Sequence, residues 1–517
     1  MAEKGAVKFI ITLTVILGSL LELVDTTVVN VALPNIMGNL GATLEDVAWV
    51  ITAYSLANVI IIPMTPWLSA KFGRRNYYLF SILLFTVASF FCGNAHSIWE
   101  LVAFRFIQGV GGGGLLSTSQ SILFETYTKE ERGMATAIFG IGVVVGPTFG
   151  PTIGGYITDH FNWPWVFYIN LPLGTIAAIL TANFIKESKY HQKVGSNDWL
   201  GIFLLILGIG TLQTVLERGQ TEDWFSTTYI TVFAIIAVIS LTIFIWWELN
   251  TEHPVVNLSL MKNRSLAFGM FLTFVLGFGL FGSVFIFPVF CQQLLGFTAQ
   301  QTGMLLIPGG LTTVAMMPFV GMALRKGFPP KVLAATGFAI TALYCWVSSK
   351  FNLSDGTHDF YLPLIIRGVG LSMLFVPITM VALGDLSPKD ISQGTGLNNM
   401  MRQLGGSFGI ALINTFIDHR SAYHRSILLQ NINQYNNAFI NSYNQYTGAL
   451  VAKTGNLLTA QMQAYKAIDF AVYKQTTLLS YMDVYLFIAA FMLVCVPMLF
   501  FTRQKKTPDA AAMEGAH

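Results

Sequence analysis

The amino-acid sequence predicts an all-α membrane protein of fourteen transmembrane helices, two similar six-helix bundles with two further helices between them. Three observations predict it. The 517 residues are 54% hydrophobic and only 11% charged, with a mean hydropathy of +0.60, whereas a soluble protein needs about 25% charged residues to coat its surface. Apolar runs of 18 or more residues recur along the whole chain, and a bilayer core of about 30 Å takes about 20 residues per helix. The chain also repeats itself. Disorder is excluded by 41 Phe, 18 Tyr and 10 Trp. A net charge of +3 with scattered basic residues offers no face for nucleic acid.

In chain order the first seven expected spans are 9–31, 47–70, 77–94, 101–124, 134–157, 165–184 and 199–216. The second seven are 229–249, 266–294, 302–324, 332–348, 361–383, 394–417 and 477–502. The first span is too long and too acidic, with Glu22 and Asp25, to be a cleaved signal peptide, so it is expected to stay. Fourteen spans bring both termini to one side. Connectors on that side hold nineteen Lys and Arg residues, including Lys4, Lys189, Lys193, Arg503, Lys505 and Lys506, against Arg218 and Lys350 in the short connectors opposite. Positive charge marks the cytoplasmic face, so both termini are expected there. Residues 419–476, polar and rich in Asn, Gln and Tyr, read as a long loop outside the cytoplasm.

The repeat sets the domain plan. Leu40-Gly41-Ala42-Thr43 recurs as Leu295-Gly296-Phe297-Thr298, and Pro63 and Lys71 find Pro318 and Lys326, all at an offset of 255. Gly109-Val110-Gly111 matches Gly368-Val369-Gly370, and Gly146 to Gly150 match Gly405 to Gly409, at an offset of 259. Expected domains are an N-terminal bundle over 1–190, two linker helices over 191–260, a C-terminal bundle over 261–503 carrying the loop 419–476, and a cytoplasmic tail over 504–517. Duplicated bundles facing a central cavity are a transporter architecture.

Asp25 stands deep in the first span, where a carboxylate costs about 2.5 to 3.5 kcal/mol and needs a partner or a wet cavity. Glu22 lies three residues earlier on nearly the same helical face. Two acids so close resist double ionisation, so at least one is expected to hold a proton. Arg105, in the fourth span before Gly111 to Gly114, keeps its charge at any working pH and can pair with a nearby acid. In the fifth span Gly142, Gly146, Gly150 and Gly154 recur every four residues, with Pro147 and Pro151 between them and Gly155 following. That spacing admits a second helix and the prolines bend the span, so a hinge is expected. Pro66 to Arg75 sets Lys71, Arg74 and Arg75 around Gly73 in a tight cytoplasmic turn.

Two enzyme-like strings fail on context. Gly109 to Gly114 fits a dinucleotide pattern and Gly405 to Gly409 a nucleophile elbow, but each sits inside an apolar helix with no preceding strand. No histidine pair suits a metal and no phosphate loop ends in Gly-Lys-Ser/Thr, so neither metal, cofactor nor ATP is expected. The four cysteines lie in apolar runs and read as packed thiols.

Together these residues resemble the major facilitator superfamily and, within it, the fourteen-span drug:proton antiporters of the EmrB/QacA type, closest to EmrB-like permease subunits. Asp25 to Pro34 resembles the signature closing the first span, Arg105 with Gln108 and Gly109 the proton-translocation motif, Gly146 to Gly155 the antiporter motif, and Pro66 to Arg75 the cytoplasmic gating motif. Pro66 and Ala70 depart from the last, standing where Gly and Asp are usual, and Ala137 replaces the first glycine of the antiporter motif. The resemblance implies a proton-driven exporter of amphipathic organic compounds in a bacterial inner membrane. It also implies partnership with a periplasmic adaptor and an outer-membrane channel, with the 419–476 loop as a docking element. Proton coupling is assigned to Asp25, Glu22 and Arg105. By span position, Asn30, Tyr54, Gln108, Phe281, Phe285, Asn398, Asn399 and Arg402 are expected to line the pocket. A symporter, an exporter of lipids or siderophores, and a membrane-embedded enzyme remain as rival readings.

Overall fold

The computed structural model describes residues 5–188 and 197–501. The tail 504–517 and the basic residues Lys4, Lys189, Lys193, Arg503, Lys505 and Lys506 lie outside the described residues. Seventeen α-helices and no strand occur among the described residues. The first eight are α1 (Gly5–Leu40), α2 (Leu44–Phe72), α3 (Arg74–Gly93), α4 (Ile98–Gly112), α5 (Leu115–Thr126), α6 (Arg132–His160), α7 (Trp165–Tyr168) and α8 (Asn170–Phe184). Next come α9 (Trp199–Arg218) and α10 (Thr228–Asn250). The last seven are α11 (Arg264–Gln293), α12 (Ala299–Arg325), α13 (Pro330–Ser348), α14 (Thr357–Leu383), α15 (Ile391–Gln430), α16 (Asn437–Thr454) and α17 (Leu457–Phe501).

The repeated Leu-Gly-X-Thr string has one structural job in both copies. Gly41 (φ +62°) and Gly296 (φ +74°) turn the chain through the left-handed region, which a side chain disfavours. Thr43 and Thr298 then cap α2 and α12, each in a reciprocal box with the residue three positions on, Asp46 or Gln301.

Twelve stretches are long and apolar enough to cross a membrane. Two expected spans are not among them, for different reasons. Four consecutive glycines, weak helix formers, end α4 at Gly112 and restart the chain as α5 at Leu115, so 101–124 is not one helix. Segment 394–417 lies within the single helix α15, but its polar side chains point inward: Asn398, Asn399 and Arg402 are all buried. α10 is the opposite case. It turns Ile235, Val238, Ile239 and Ile245 outward, the surface expected against lipid.

α6 lies between α1 and α12, and α15 packs on α2, α5 and α11. α9 and α10 pair with each other, and α9 also touches α2 and α15. Residues 419–476, read from the sequence as a loop, are helical almost throughout: α15 runs on to Gln430, α16 follows, and α17 begins at Leu457. The segment has no proline; its helices break only at the Asn-rich turn 431–436 and at Gly455, which takes φ +65°, while Gly448 stays inside α16.

Candidate functional site

Asp25 lies on the buried face of α1 with no exposed surface. The Arg105 guanidinium of α4 donates from Nη1 to Asp25 Oδ2 at 2.5 Å and to Gln108 Oε1 at 2.7 Å, and its Nε donates to the Val50 carbonyl at 3.2 Å. Its central carbon lies over the Tyr54 ring, 4.1 Å from the centroid. The second carboxylate oxygen, Oδ1, accepts from Gln108 Nε2 at 2.9 Å and from Asn170 Nδ2 at 2.8 Å. Ser89 Oγ accepts from Gln108 at 2.7 Å. Every hydrogen bond here leads to α1, α2, α3, α4 or α8. A dry ion pair is worth keeping only when its remaining lone pairs and protons are satisfied, and this one is nearly saturated.

Asn170, Ser89 and the Val50 carbonyl were not singled out by sequence. Asn170 could have been, since an amide within an apolar span is uncommon. Ser89 left no signal: its hydroxyl also bonds the Phe85 carbonyl four residues back, as any helical serine can.

Glu22 has different company from Asp25. Its Oε1 accepts from Asn58 Nδ2 of α2 at 3.0 Å, while Oε2 is buried without a hydrogen bond. Arg402 of α15 is likewise buried, its guanidinium carbon 5.8 Å from the centre of the Phe375 ring. The two acids expected to act as a pair thus have different hydrogen-bond partners, Asn58 for Glu22 and Arg105, Gln108 and Asn170 for Asp25.

The other expected lining residues scatter. Tyr54 and Gln108 are absorbed into the Asp25 cluster. Asn399 reaches across to α5, donating to Ser117 Oγ at 3.2 Å and Gln120 Oε1 at 3.1 Å. Asn398 accepts from Thr273 of α11 at 2.7 Å. Phe281 packs against Gly406, Phe285 packs on the core, and Asn30 is exposed.

In α6 the glycines form a seam against α1. A Cβ at Gly142 would meet Ile16 at 2.7 Å, one at Gly146 would meet Leu23 at 2.7 Å, one at Gly150 would overlap Thr27, and one at Gly154 would meet the Val28 carbonyl at 2.9 Å. Gly155 faces the other way, toward Gln300 of α12. Pro147 and Pro151 sit within α6, which stays one helix. At the α2–α3 turn Gly73 takes φ +85°. Lys71 donates to Asn197 at 3.0 Å and Arg75 to the Ala182 carbonyl at 2.5 Å, while Arg74 is paired with Glu125 of α5. Two carboxylates lie at this turn, that of Glu125 on Arg74 and that of Glu187 beside Gly73.

Residues 15–410 match the Major Facilitator Superfamily. The chain belongs to that superfamily. Among relatives of this facilitator, Multidrug export protein EmrB of Haemophilus influenzae is 35% identical over 452 residues, covering 86% of this chain and 88% of that protein. Multidrug export protein EmrB of Escherichia coli is 31% identical over 500 residues, covering 97% and 96%. The crystal structure of the human organic anion transporter MFSD10 shares the facilitator fold with a TM-score of 0.59 at 13% identity, covering 94% of this chain and 99% of that one.

Proposed function

We propose that this facilitator exports amphipathic organic compounds across the bacterial inner membrane, exchanging them for protons by alternating access. One observation carries the reading: a carboxylate–guanidinium pair, Asp25 with Arg105, is buried in the first bundle and ringed by neutral donors. A proton on Asp25 removes the charge that Arg105 is matched to, so the pair has two states, and two-state elements are what couple a proton to a rearrangement. Glu22, hydrogen-bonded by Asn58, is the second carrier. The two relatives named as multidrug export proteins support the cargo class.

The plan is fourteen crossings with both termini cytoplasmic: bundles over 1–190 and 261–503, with the linker pair over 191–260. Lys71, Gly73, Arg74 and Arg75 form the cytoplasmic gate, and the α6 seam from Gly146 to Gly155 the hinge. The helical hairpin of 419–476 is the docking element for a periplasmic adaptor and outer-membrane channel. Exposed Tyr435, Leu458, Met462, Tyr465 and Phe470 support a partner there.

The deciding experiment is dye efflux from energised everted vesicles. Wild type should move dye only while a proton gradient stands, and Asp25→Asn and Arg105→Ala should each lose at least about tenfold, the effect of about 1.4 kcal/mol. Wild-type rates in both variants would refute the coupling.

A further inference from the structure

The second bundle holds an arginine that the proton site does not use. Arg367 lies in the middle of α14, half-buried, and lines a cavity bounded by α6, α11, α12 and α14. Among the described residues no hydrogen bond or ion pair reaches its guanidinium. The repeat shows what is missing. At the offset of 259 Arg367 stands where the first bundle has Gln108, and at the offset of 255 Leu280 stands where it has Asp25. Leu280 and Arg367 line the same cavity. The second copy therefore keeps a cation opposite the place where the first copy keeps a carboxylate, and the carboxylate has become a leucine.

The rest of the wall is apolar, with Val143, Leu276, Leu306 and Leu371, and the hydroxyls of Thr148 and Thr313 are its only other polar side-chain groups. Thr313 is already committed to the carbonyls of Gly309 and Gly368 at 3.0 and 3.1 Å. A guanidinium cannot shed its charge, and it presents a fork of N–H donors that matches a planar or tetrahedral oxyanion. The cavity of about 50 Å³ has room for a few waters or a head group. Its wall comes from α6 of one bundle and α11, α12 and α14 of the other, so relative motion of the bundles changes its size.

We propose that this cavity is an anion subsite of the export path, in which Arg367 takes the oxyanion head of an amphipathic cargo whose apolar body lies on the surrounding leucines and valines. This rests on the export reading above and adds a charge class to it.

The test uses two probes with one tail and opposite heads, radiolabelled decanesulfonate and decyltrimethylammonium. Sulfonate stays ionised at every working pH. Binding is measured by scintillation proximity on the full chain in phosphatidylcholine nanodiscs, where no anionic lipid competes. Arg367→Gln should weaken decanesulfonate at least tenfold, Arg367→Lys should keep most of it, and neither should weaken decyltrimethylammonium. Unchanged sulfonate binding in Arg367→Gln, or an equal loss of both probes, would overturn the proposal. Transport by wild type in proteoliposomes separates the two ideas: Arg367-dependent binding without proton-driven flux leaves the subsite standing and removes the export reading.

Discussion

Asp25 is held by three side chains from two other helices, and they can be removed one at a time. Arg105 supplies the opposite charge, whereas Gln108 and Asn170 supply neutral donors to the other oxygen. A hydrogen bond to a charged group contributes about 1.5 to 3 kcal/mol, so losing one shifts the balance between the charged and protonated states by roughly tenfold or more. Asn170→Ala should therefore cut proton-driven dye efflux by about tenfold with normal amounts of folded protein in the membrane. Ser89→Ala, one bond removed from the acid, should cost only about two- to threefold. Equal activity in Asn170→Ala and wild type, measured in the same vesicles, would mean that Asp25 does not depend on its amide donors. The split between what was legible and what was not follows the same energetics. Asp25, Arg105 and Glu22 stand out in the sequence because charge in hydrocarbon is costly. Asn170 and Ser89 stay hidden because neutral polar groups in a span cost far less and have local uses. The i, i+3 spacing put Glu22 and Asp25 on nearly one face, but it could not reveal that Glu22 takes its hydrogen bond from Asn58 of α2 and stays outside the Arg105 cluster.

The glycine spacing in α6 announced a close helix contact without naming the partner, which only the packing reveals to be α1. At Gly150 even a methyl group would overlap the Thr27 side chain, whose hydroxyl bonds the carbonyls of Leu23 and Val24. Extra atoms in a packed seam cost about 1 to 3 kcal/mol through forced shifts. Gly150→Leu should lower the Tm of detergent-purified protein and abolish most efflux, with Gly150→Ala falling between it and wild type. A Gly150→Leu protein with unchanged Tm and efflux would show that α1 and α6 are not held at this spot. Elements whose breaks are cooperative were harder to foresee. The span 101–124 is apolar enough to read as one helix, yet each added glycine in Gly111 to Gly114 lowers helix stability, and the run ends α4. The polar stretch 419–476 was misjudged in the opposite direction, because polarity says where a segment lies and not whether its backbone is helical.

At the scale of the molecule, alternating access requires that contacts between the two bundles break on one side while others hold. The α6–α12 pair is where that requirement is most demanding, since the two helices touch along their whole length. A Cβ at Gly133 would lie 3.1 Å from Leu324 Cβ near one end, and one at Gly155 would lie 3.4 Å from Gln300 Cβ near the other. The second spacing is close to the roughly 3.5 to 4.5 Å between Cβ atoms of a disulfide. Gly155→Cys with Gln300→Cys should therefore cross-link readily under mild oxidant. The four native cysteines are free and buried, so they offer no competing bridge. If the bundles part at this end during each cycle, oxidation should reduce dye efflux to background and reductant should restore it, while the rate of either single variant, whatever its level, should not change between oxidant and reductant. Efficient cross-linking, read as a band shift after cleavage of a protease site engineered between α6 and α12, together with undiminished efflux would mean that these ends stay together throughout. Alternating access by separation of α6 from α12 at this end would then have to be abandoned in favour of motion confined to other helices.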